Sequence, residues 1–188
     1  MGKSADETAK TWRDAIGLAQ PFIEKWEKFV PSVYYDKVGK KYTIGHGHTY
    51  VRDAATNKMR PVRKNESPMS LEKSRNAVGS RLRSMASALY RDLPWMRRLN
   101  SHQIAALLDI AYNSGEGTLY PSKSPGLNKR MSAANADFDA ILREEIPTYR
   151  KASGKISKGL SNRRSDAVKT FLHMPVNSSK AKALQPRL

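Results

Sequence analysis

Two carboxyl groups and a hydroxyl lie close together near the start of the sequence, at Glu27, Asp36 and Thr43. Glu27 ends a helical pattern, Asp36 lies at the mouth of a predicted hairpin, and Thr43 lies on the second strand of that hairpin. Two carboxyl groups that flank a groove can cleave a glycosidic bond: one protonates the leaving oxygen, and the other activates water or stabilises positive charge on the sugar. These residues predict an enzyme that cleaves glycosides with acid assistance.

The position of Glu27 suits the acid in such a reaction. It falls in the last turn of its predicted helix, beside Trp26 and Phe29. The unpaired carbonyls at the helix end and the neighbouring rings both favour the neutral carboxyl group. A glutamate at a helix end is more often a solvated surface residue, so the assignment depends on Asp36 as its partner.

Composition limits the other possibilities. The 188 residues, 39% of them hydrophobic, are enough for a single domain with one main core. Because the chain has no cysteine, disulfides and thiolate chemistry are excluded. The net charge of +17 predicts an anionic partner. The basic residues are spread along the chain, so an anionic cell envelope fits as well as nucleic acid, and no specific nucleic-acid partner is predicted.

The sequence shows neither a secretion signal nor a membrane-spanning stretch. Its first ten residues have no apolar signal region, and no later stretch approaches the roughly 18 apolar residues of a membrane span. We therefore expect a protein made in the cytosol, without a transmembrane segment.

Periodic patterns predict the elements that hold these groups. A capping box at Ser4 and Glu7 starts one long helix, or two in tandem, which Pro21 should kink or divide and Pro31 should help to end. Alternation over residues 33–50 predicts a β-hairpin with a turn around Gly39. Residues 51–68 are predicted to be a long loop that could carry a further short strand.

The second half of the sequence is predicted to be helical. A helix capped by Ser70 follows the hairpin region, and a helix capped by Ser101 is apolar on all sides, as expected in the middle of a core. Two more helices are predicted around residues 135–146 and 161–173, with a basic loop between them. Residues 175–188 are predicted to form a mobile basic tail.

Two histidines lie near the predicted site. His46 and His48 have the spacing of some zinc ligands, but four histidines and no cysteine make a metal site a poor explanation, and we predict none. We expect His48 to support the hairpin or the adjacent acid through a hydrogen bond. Gly45 and Gly47 lie in a predicted strand, so they do not form a nucleotide-binding loop.

Several sequence blocks resemble the T4-type phage lysozymes, the endolysin muramidases of glycoside hydrolase family 24. They are WE at 26–27, YD at 35–36, YTIGHGH at 42–48, QIAALLDIAYNSGEG at 103–117 and GLSNRR at 159–164. The resemblance covers roughly residues 20–173, and its main blocks occur in the family's order. By matching position it implies that Glu27 is the general acid, Asp36 assists catalysis and Thr43 positions the attacking water.

The same resemblance implies supporting residues. Arg163 matches an arginine that often pairs with the catalytic glutamate in relatives, and Asn113 and His48 are candidates for substrate binding or support. The family usually has five residues between its aspartate and threonine, whereas this chain has six. A shift of one residue within a strand would turn Thr43 to the wrong face, so we expect the turn around residues 39–41 to absorb the extra residue.

The resemblance implies a lysozyme-like α+β fold, mainly α, in which a long helix joins a small β-hairpin lobe to a helical lobe. The expected organisation is one catalytic domain over 1–188: a helical extension at 1–20, the hairpin lobe at 33–68, the linking helix and helical lobe at 70–173, and the tail at 175–188.

The implied activity is hydrolysis of the β-1,4 bond between N-acetylmuramic acid and N-acetylglucosamine in bacterial peptidoglycan, without a cofactor, by a monomer that lyses the host cell. The enzyme would accumulate in the host cytoplasm and reach the wall after a holin opens the membrane. Its charge would favour anionic envelope polymers such as lipopolysaccharide. Two alternatives remain open: a lytic transglycosylase of the same fold, and a non-catalytic basic protein that binds cell wall or nucleic acid.

Overall fold

The first helix carries Glu27 at its end. The computed structural model describes residues 4–37, 39–152 and 154–172. Helix α1 (Ala5–Glu27) begins at a capping box, in which Ser4 Oγ accepts from the Glu7 N–H and the Glu7 carboxylate accepts from the Ser4 N–H. Its buried residues pack in the main core against helix α3 (Ser101–Ser114). The core therefore fixes where the last turn of α1 places Glu27.

Pro21 does not divide this helix, so the prediction of a single long helix is confirmed and the division is wrong. Proline has no N–H, so Pro21 cannot donate a hydrogen bond to the Gly17 carbonyl. Both residues are exposed, so water can solvate that carbonyl. Phe22 and Ile23 on the other side of α1 remain in the main core. Pro31 does not end the helix either, because the chain leaves it at Lys28, which has φ of 52°.

Two short hairpins form the small lobe. Strands β1 (Val30–Asp36) and β2 (Lys41–Gly45) pair antiparallel, and so do β3 (Tyr50–Arg52) and β4 (Met59–Pro61). A small separate core fills this lobe, made of Ile44, Val51, Val62 and Met69. The sequence pattern predicted that the strand continues through residues 46–49. Instead β2 ends at Gly45, because Gly45 and Gly47 have positive φ values and turn the chain. The predicted long loop contains β3 and β4.

Helix α2 (Leu71–Asp92) leads from the small lobe into the main core. Ser70 caps it as predicted, through a hydrogen bond from the Lys73 N–H. The next helix, α3, is capped by Asn100 and not by Ser101, because Asn100 and Gln103 form a capping box. The α3 helix is buried over residues 103–112 and ends at Gly115, which has φ of 86°.

The remaining elements surround α3. They are α4 (Pro125–Ser132), α5 (Phe138–Glu145), the short hairpin β5 (Lys151–Ala152) and β6 (Lys155–Ile156), α6 (Lys158–Phe171), and 3₁₀ helices at Pro94–Arg98, Glu116–Leu119 and Ile146–Thr148. The sequence patterns missed α4 and the β5–β6 hairpin, which occupies the predicted basic loop. Helix α6 starts three residues before the predicted 161, at a Ser157 cap.

Three further predictions concern the fold class, the tail and membrane-spanning helices. The mainly helical fold with small antiparallel sheets is confirmed. The predicted tail at 175–188 lies outside the described residues. Among the described residues, no helix has both the length and the apolar character that a membrane crossing requires.

Candidate active site

Glu27 is the last residue of α1, and its side chain is one-fifth exposed. Arg163 on α6 holds it: Arg163 Nη1 donates to Glu27 Oε1 at 2.6 Å. Glu27 Oε2 lies so close to Gly47 that a side chain there would place its Cβ 3.0 Å from that oxygen. One carboxyl oxygen is therefore held by a buried arginine, and the other lies against a backbone segment that has no side chain.

A buried charge network fixes Arg163. Asp109 on α3 accepts from Arg163 Nε at 2.9 Å and from Arg164 Nη1 at 2.6 Å. Asp109 and Arg164 are fully buried, and Arg163 is 4% exposed. Burial would lower the pKa of Arg163, but the charges of Asp109 and Glu27 outweigh it and raise that pKa. The guanidinium stays charged while it holds Glu27.

Asn113 belongs to the same network, on the last turn of α3. Its Oδ1 accepts from Arg164 Nη2 at 2.6 Å, and Arg164 Nε also donates to the Tyr149 carbonyl at 3.1 Å. Burial raises the pKa of Asp109, while Arg163 and Arg164 act in the opposite direction. The structure thus brings the predicted residues Arg163 and Asn113 to one network, with Arg163 next to Glu27 and Asn113 bound to Arg164.

The β1–β2 register places Asp36 and Thr43 on one face of the hairpin. Asp36 pairs with Lys41, and Thr43 pairs with Tyr34. Because Tyr34 and Asp36 are two residues apart on β1, their side chains share a face with Thr43. The connection between the paired Asp36 and Lys41 takes up four residues, and the pairs from Asp36–Lys41 to Tyr34–Thr43 are in continuous register.

The two hairpin site residues differ in their surroundings. Thr43 is buried, and its Oγ1 makes a long contact of 3.4 Å with the Lys41 carbonyl. Asp36 is half-buried, and its Oδ2 lies over Gly39, where an added Cβ would come within 2.6 Å of that oxygen. Gly39 therefore leaves room for the Asp36 carboxylate at the hairpin turn.

Tyr34 links the hairpin face to Glu27. Burial raises the pKa of its phenol, and the charges of Asp36 and Glu27 raise it further. The charges of both carboxyl groups therefore act on this one side chain. The site residues are thus a carboxyl group held by Arg163 at the end of α1, and a carboxyl and a hydroxyl group on one face of the β1–β2 hairpin.

Two histidines fasten the turn after β2 to helix α2. Ser74 Oγ accepts from the His46 N–H at 2.9 Å, lies 2.9 Å from His46 Nδ1, and lies 3.0 Å from His48 Nε2. His48 Nε2 also lies 3.1 Å from the Ser74 carbonyl. His48 therefore connects the turn after β2 to helix α2 through Ser74.

The same turn is anchored from the other side. Tyr112 Oη donates to the His46 carbonyl at 3.1 Å, and the Phe29 ring packs against the His46 ring. Burial raises the pKa of Tyr112 to about 12, so its hydroxyl remains a donor. Within the described part of the chain, no group of three histidine, cysteine or acidic side chains is placed to hold a metal ion.

The histidine contacts predict a pH dependence of stability. Burial lowers the pKa of His46 and of His48. The unfolded chain takes up these protons near pH 6.5, and the folded chain does so only at lower pH, so the free energy of unfolding should fall as pH drops from about 7.5 to about 5.5. Urea unfolding across this range measures the slope.

Two variants make that test specific. The His48→Gln protein should show a shallower slope than the wild type, because one of the two titrating groups is gone. The His102→Gln protein is the control, since His102 is exposed at the start of α3 and lies outside these contacts. Equal slopes for His48→Gln and the wild type would contradict the prediction.

Sequence patterns alone missed several residues of this site. Asp109 is the clearest, because a carboxylate in a helix that is apolar on all sides signals a buried charged partner. Arg163 and Arg164, which follow each other on α6, are those charged partners in the structure. No sequence signal pointed to Ser74, whose role depends on how α2 packs against the hairpin lobe.

Comparison with known proteins identifies the fold and the family. The phage lysozyme family profile matches residues 24–167. In structure the chain is similar to an endolysin from Escherichia coli O157:H7 phage FAHEc1, with a TM-score of 0.63 and 20% identity over 82% of this chain and 90% of that one. It is also similar to the active form of the P1 phage endolysin Lyz, with a TM-score of 0.62 and 15% identity over 88% of this chain and 93% of that one.

No curated protein matches the chain in a sequence comparison. The two structural matches are distant in sequence and show a common fold, which confirms the predicted lysozyme-like architecture. The family match begins three residues before Glu27 and ends beyond Arg163 and Arg164, so it includes the whole charge network and the hairpin face. The chain belongs to the phage lysozyme family of peptidoglycan-degrading enzymes.

Proposed function

We propose that this chain is a phage endolysin that acts as a muramidase, hydrolysing the β-1,4 bond between N-acetylmuramic acid and N-acetylglucosamine in peptidoglycan. The observation that carries the proposal is the bond from buried Arg163 to Glu27 at the end of α1, together with the β1–β2 register that puts Asp36 and Thr43 on one face of the next hairpin. Family membership supports peptidoglycan as the substrate.

Each group has a role in this reaction. Glu27 gives its proton to the glycosidic oxygen as the bond between that oxygen and C1 of muramic acid breaks. Water attacks C1, Thr43 helps to hold that water, and Asp36 accepts its proton as the new bond forms. Arg163 fixes the direction of the Glu27 carboxyl group. The proposed chemistry uses side chains and water, so we propose no cofactor and no metal.

Identification of the new chain ends tests the proposal. Purified Gram-negative sacculi are digested with the protein, and the released muropeptides are analysed by mass spectrometry. We expect reducing N-acetylmuramic acid ends. Anhydro-muramyl ends would show a lytic transglycosylase, which needs only one acid, and reducing N-acetylglucosamine ends would show cleavage of the other glycosidic bond. Absence of released fragments would favour a non-catalytic basic protein.

The lysis setting is part of the same proposal. We propose that the protein is a monomer with one catalytic domain, made in the host cytoplasm and released to the wall after a holin opens the membrane. The two structures of similar fold are phage endolysins, which supports a role in phage lysis. The test is to express the chain in bacteria with and without a holin and to follow lysis by turbidity. We expect lysis only when the holin is present.

The net charge of +17 gives the protein affinity for anionic envelope polymers such as lipopolysaccharide. We expect the rate of clearing of outer-membrane-permeabilised cells to fall several-fold as salt rises from about 20 mM to about 300 mM, because screening weakens this attraction. Turbidity measures the rate, and a small uncharged glycan substrate provides the control. If the rate of clearing of permeabilised cells did not change with salt concentration, the charge would not have this role.

A further inference from the structure

Tyr34 combines accessibility with a place among the proposed catalytic groups. It lies directly opposite Thr43 in the β1–β2 pair and two residues before Asp36 on the same face. Tyr34 is 39% exposed, whereas Thr43 opposite is 4% exposed. A molecule approaching Asp36 and Thr43 along this face would therefore meet the Tyr34 side chain.

The fold makes little use of Tyr34. It belongs to neither hydrophobic core, and among residues 4–37, 39–152 and 154–172 its hydroxyl has no hydrogen bond and its ring has no aromatic partner. Other tyrosines do have such partners: Tyr112 binds a carbonyl, Tyr120 binds Asp92, and Tyr149 binds Ser124. The exposed part of the Tyr34 ring is therefore available to contact a ligand.

The electrostatic surroundings keep the Tyr34 phenol neutral. Burial raises the pKa of the phenol, and the charges of Asp36 on the same strand face and of Glu27 at the end of α1 raise it further. A neutral phenol can donate a hydrogen bond, and its ring offers a flat apolar face. Sugar rings present apolar C–H faces bordered by hydroxyl and acetamido groups, so they match both features.

We infer that Tyr34 is a substrate-binding residue that contacts the sugar at the point of cleavage and holds it between Glu27 and Asp36. This inference rests on the proposed muramidase function. The ring supplies most of the binding through contact with the sugar face, and the hydroxyl donates to a sugar oxygen. Holding the sugar there sets the distance from the glycosidic oxygen to the acid, on which the rate depends steeply.

Binding measured without turnover tests this role. The probe is a four-sugar glycan fragment purified from sacculi, titrated by calorimetry into the Glu27→Gln protein. Adding Tyr34→Ala to that protein should weaken binding about tenfold, and adding Tyr34→Phe should change the dissociation constant less than about threefold, because the ring remains. In the otherwise wild-type enzyme, Tyr34→Ala should lower kcat/KM by about 10- to 100-fold.

Tyr50 provides the matched control. It is a similarly exposed tyrosine, 49% exposed, on β3 in the other hairpin of the same lobe. Tyr50→Ala should leave both binding and kcat/KM unchanged. The unfolding midpoint shows whether the double variant, with Glu27→Gln and Tyr34→Ala, is folded. If it is folded and binds the glycan as tightly as the Glu27→Gln parent, the inference is overturned.

The two proposals fail in different ways. If the Glu27→Gln parent binds the fragment and wild-type enzyme releases muropeptides with reducing N-acetylmuramic acid ends, the muramidase proposal stands whatever Tyr34→Ala does. If wild-type protein releases no muropeptides and the parent binds no glycan, the proposed function fails and the role of Tyr34 fails with it. Equal loss of binding in Tyr34→Ala and Tyr50→Ala would also overturn the specific role of Tyr34.

Discussion

Replacing Glu27 with glutamine should reduce the rate of peptidoglycan cleavage by about 10²- to 10⁴-fold, the range that general acid catalysis contributes. Glutamine has nearly the same shape, and its Oε1 can still accept from Arg163 Nη1, which lies 2.6 Å from the carboxyl oxygen in the wild type. It has no acidic proton to give to the glycosidic oxygen. Turbidity of permeabilised Gram-negative cells measures the loss, and circular dichroism confirms the fold.

Glu24 provides a matched control on the same helix. It lies one turn before Glu27 and is also bound to an arginine, with Arg75 Nε donating to Glu24 Oε2 at 3.1 Å. The Glu24→Gln protein should clear cells at close to the wild-type rate, because that carboxyl group is not part of the site. Unchanged clearing by a folded Glu27→Gln protein would contradict the catalytic assignment.

Replacing Asp109 with alanine should lower the free energy of unfolding by about 3–5 kcal/mol, the usual cost of removing one partner from a buried charge pair. Asp109 is shared by Arg163 and Arg164, which are themselves buried, so its loss leaves two positive charges inside the protein without their common partner. Urea unfolding at neutral pH measures the change. Activity should fall as well, because Arg163 loses the contact that fixes it beside Glu27.

Asp92 is the control for this prediction. It is also an aspartate bound to an arginine, but both Asp92 and Arg91 are exposed. Water screens exposed pairs, so Asp92→Ala should lower the free energy of unfolding far less than Asp109→Ala. If Asp109→Ala were no more destabilising than Asp92→Ala, the buried network would not be holding the site together.

The local signals in the sequence located most of the secondary structure. The capping pattern at Ser4 and Glu7 and the serine before α2 mark real helix starts, because caps depend on a few neighbouring residues. For α1 the local signals left one long helix or two in tandem open. A single helix forms, since burial of Phe22 and Ile23 in the main core outweighs the local cost of proline.

The candidate site was harder to predict from the residues alone. Glu27 and Arg163 are 136 positions apart, and only the family resemblance connected them before the structure placed them 2.6 Å apart. The anchoring of the His46–His48 turn by Ser74 depends on packing between the hairpin lobe and α2, which periodicity does not describe. Tyr34 looked like an ordinary strand residue until the register placed it opposite Thr43.

The most direct test of the central claim, that water cleaves the muramyl bond with Glu27 as the acid, is digestion of sacculi in water enriched in ¹⁸O. Products are reduced with borohydride at once to prevent exchange and analysed by mass spectrometry. Hydrolysis between C1 of muramic acid and the glycosidic oxygen places ¹⁸O on C1, so we predict labelled muramitol ends with wild-type protein and a rate lower by about 10²- to 10⁴-fold with Glu27→Gln. Unlabelled anhydro-muramyl ends, or equal rates for the two proteins, would contradict the account.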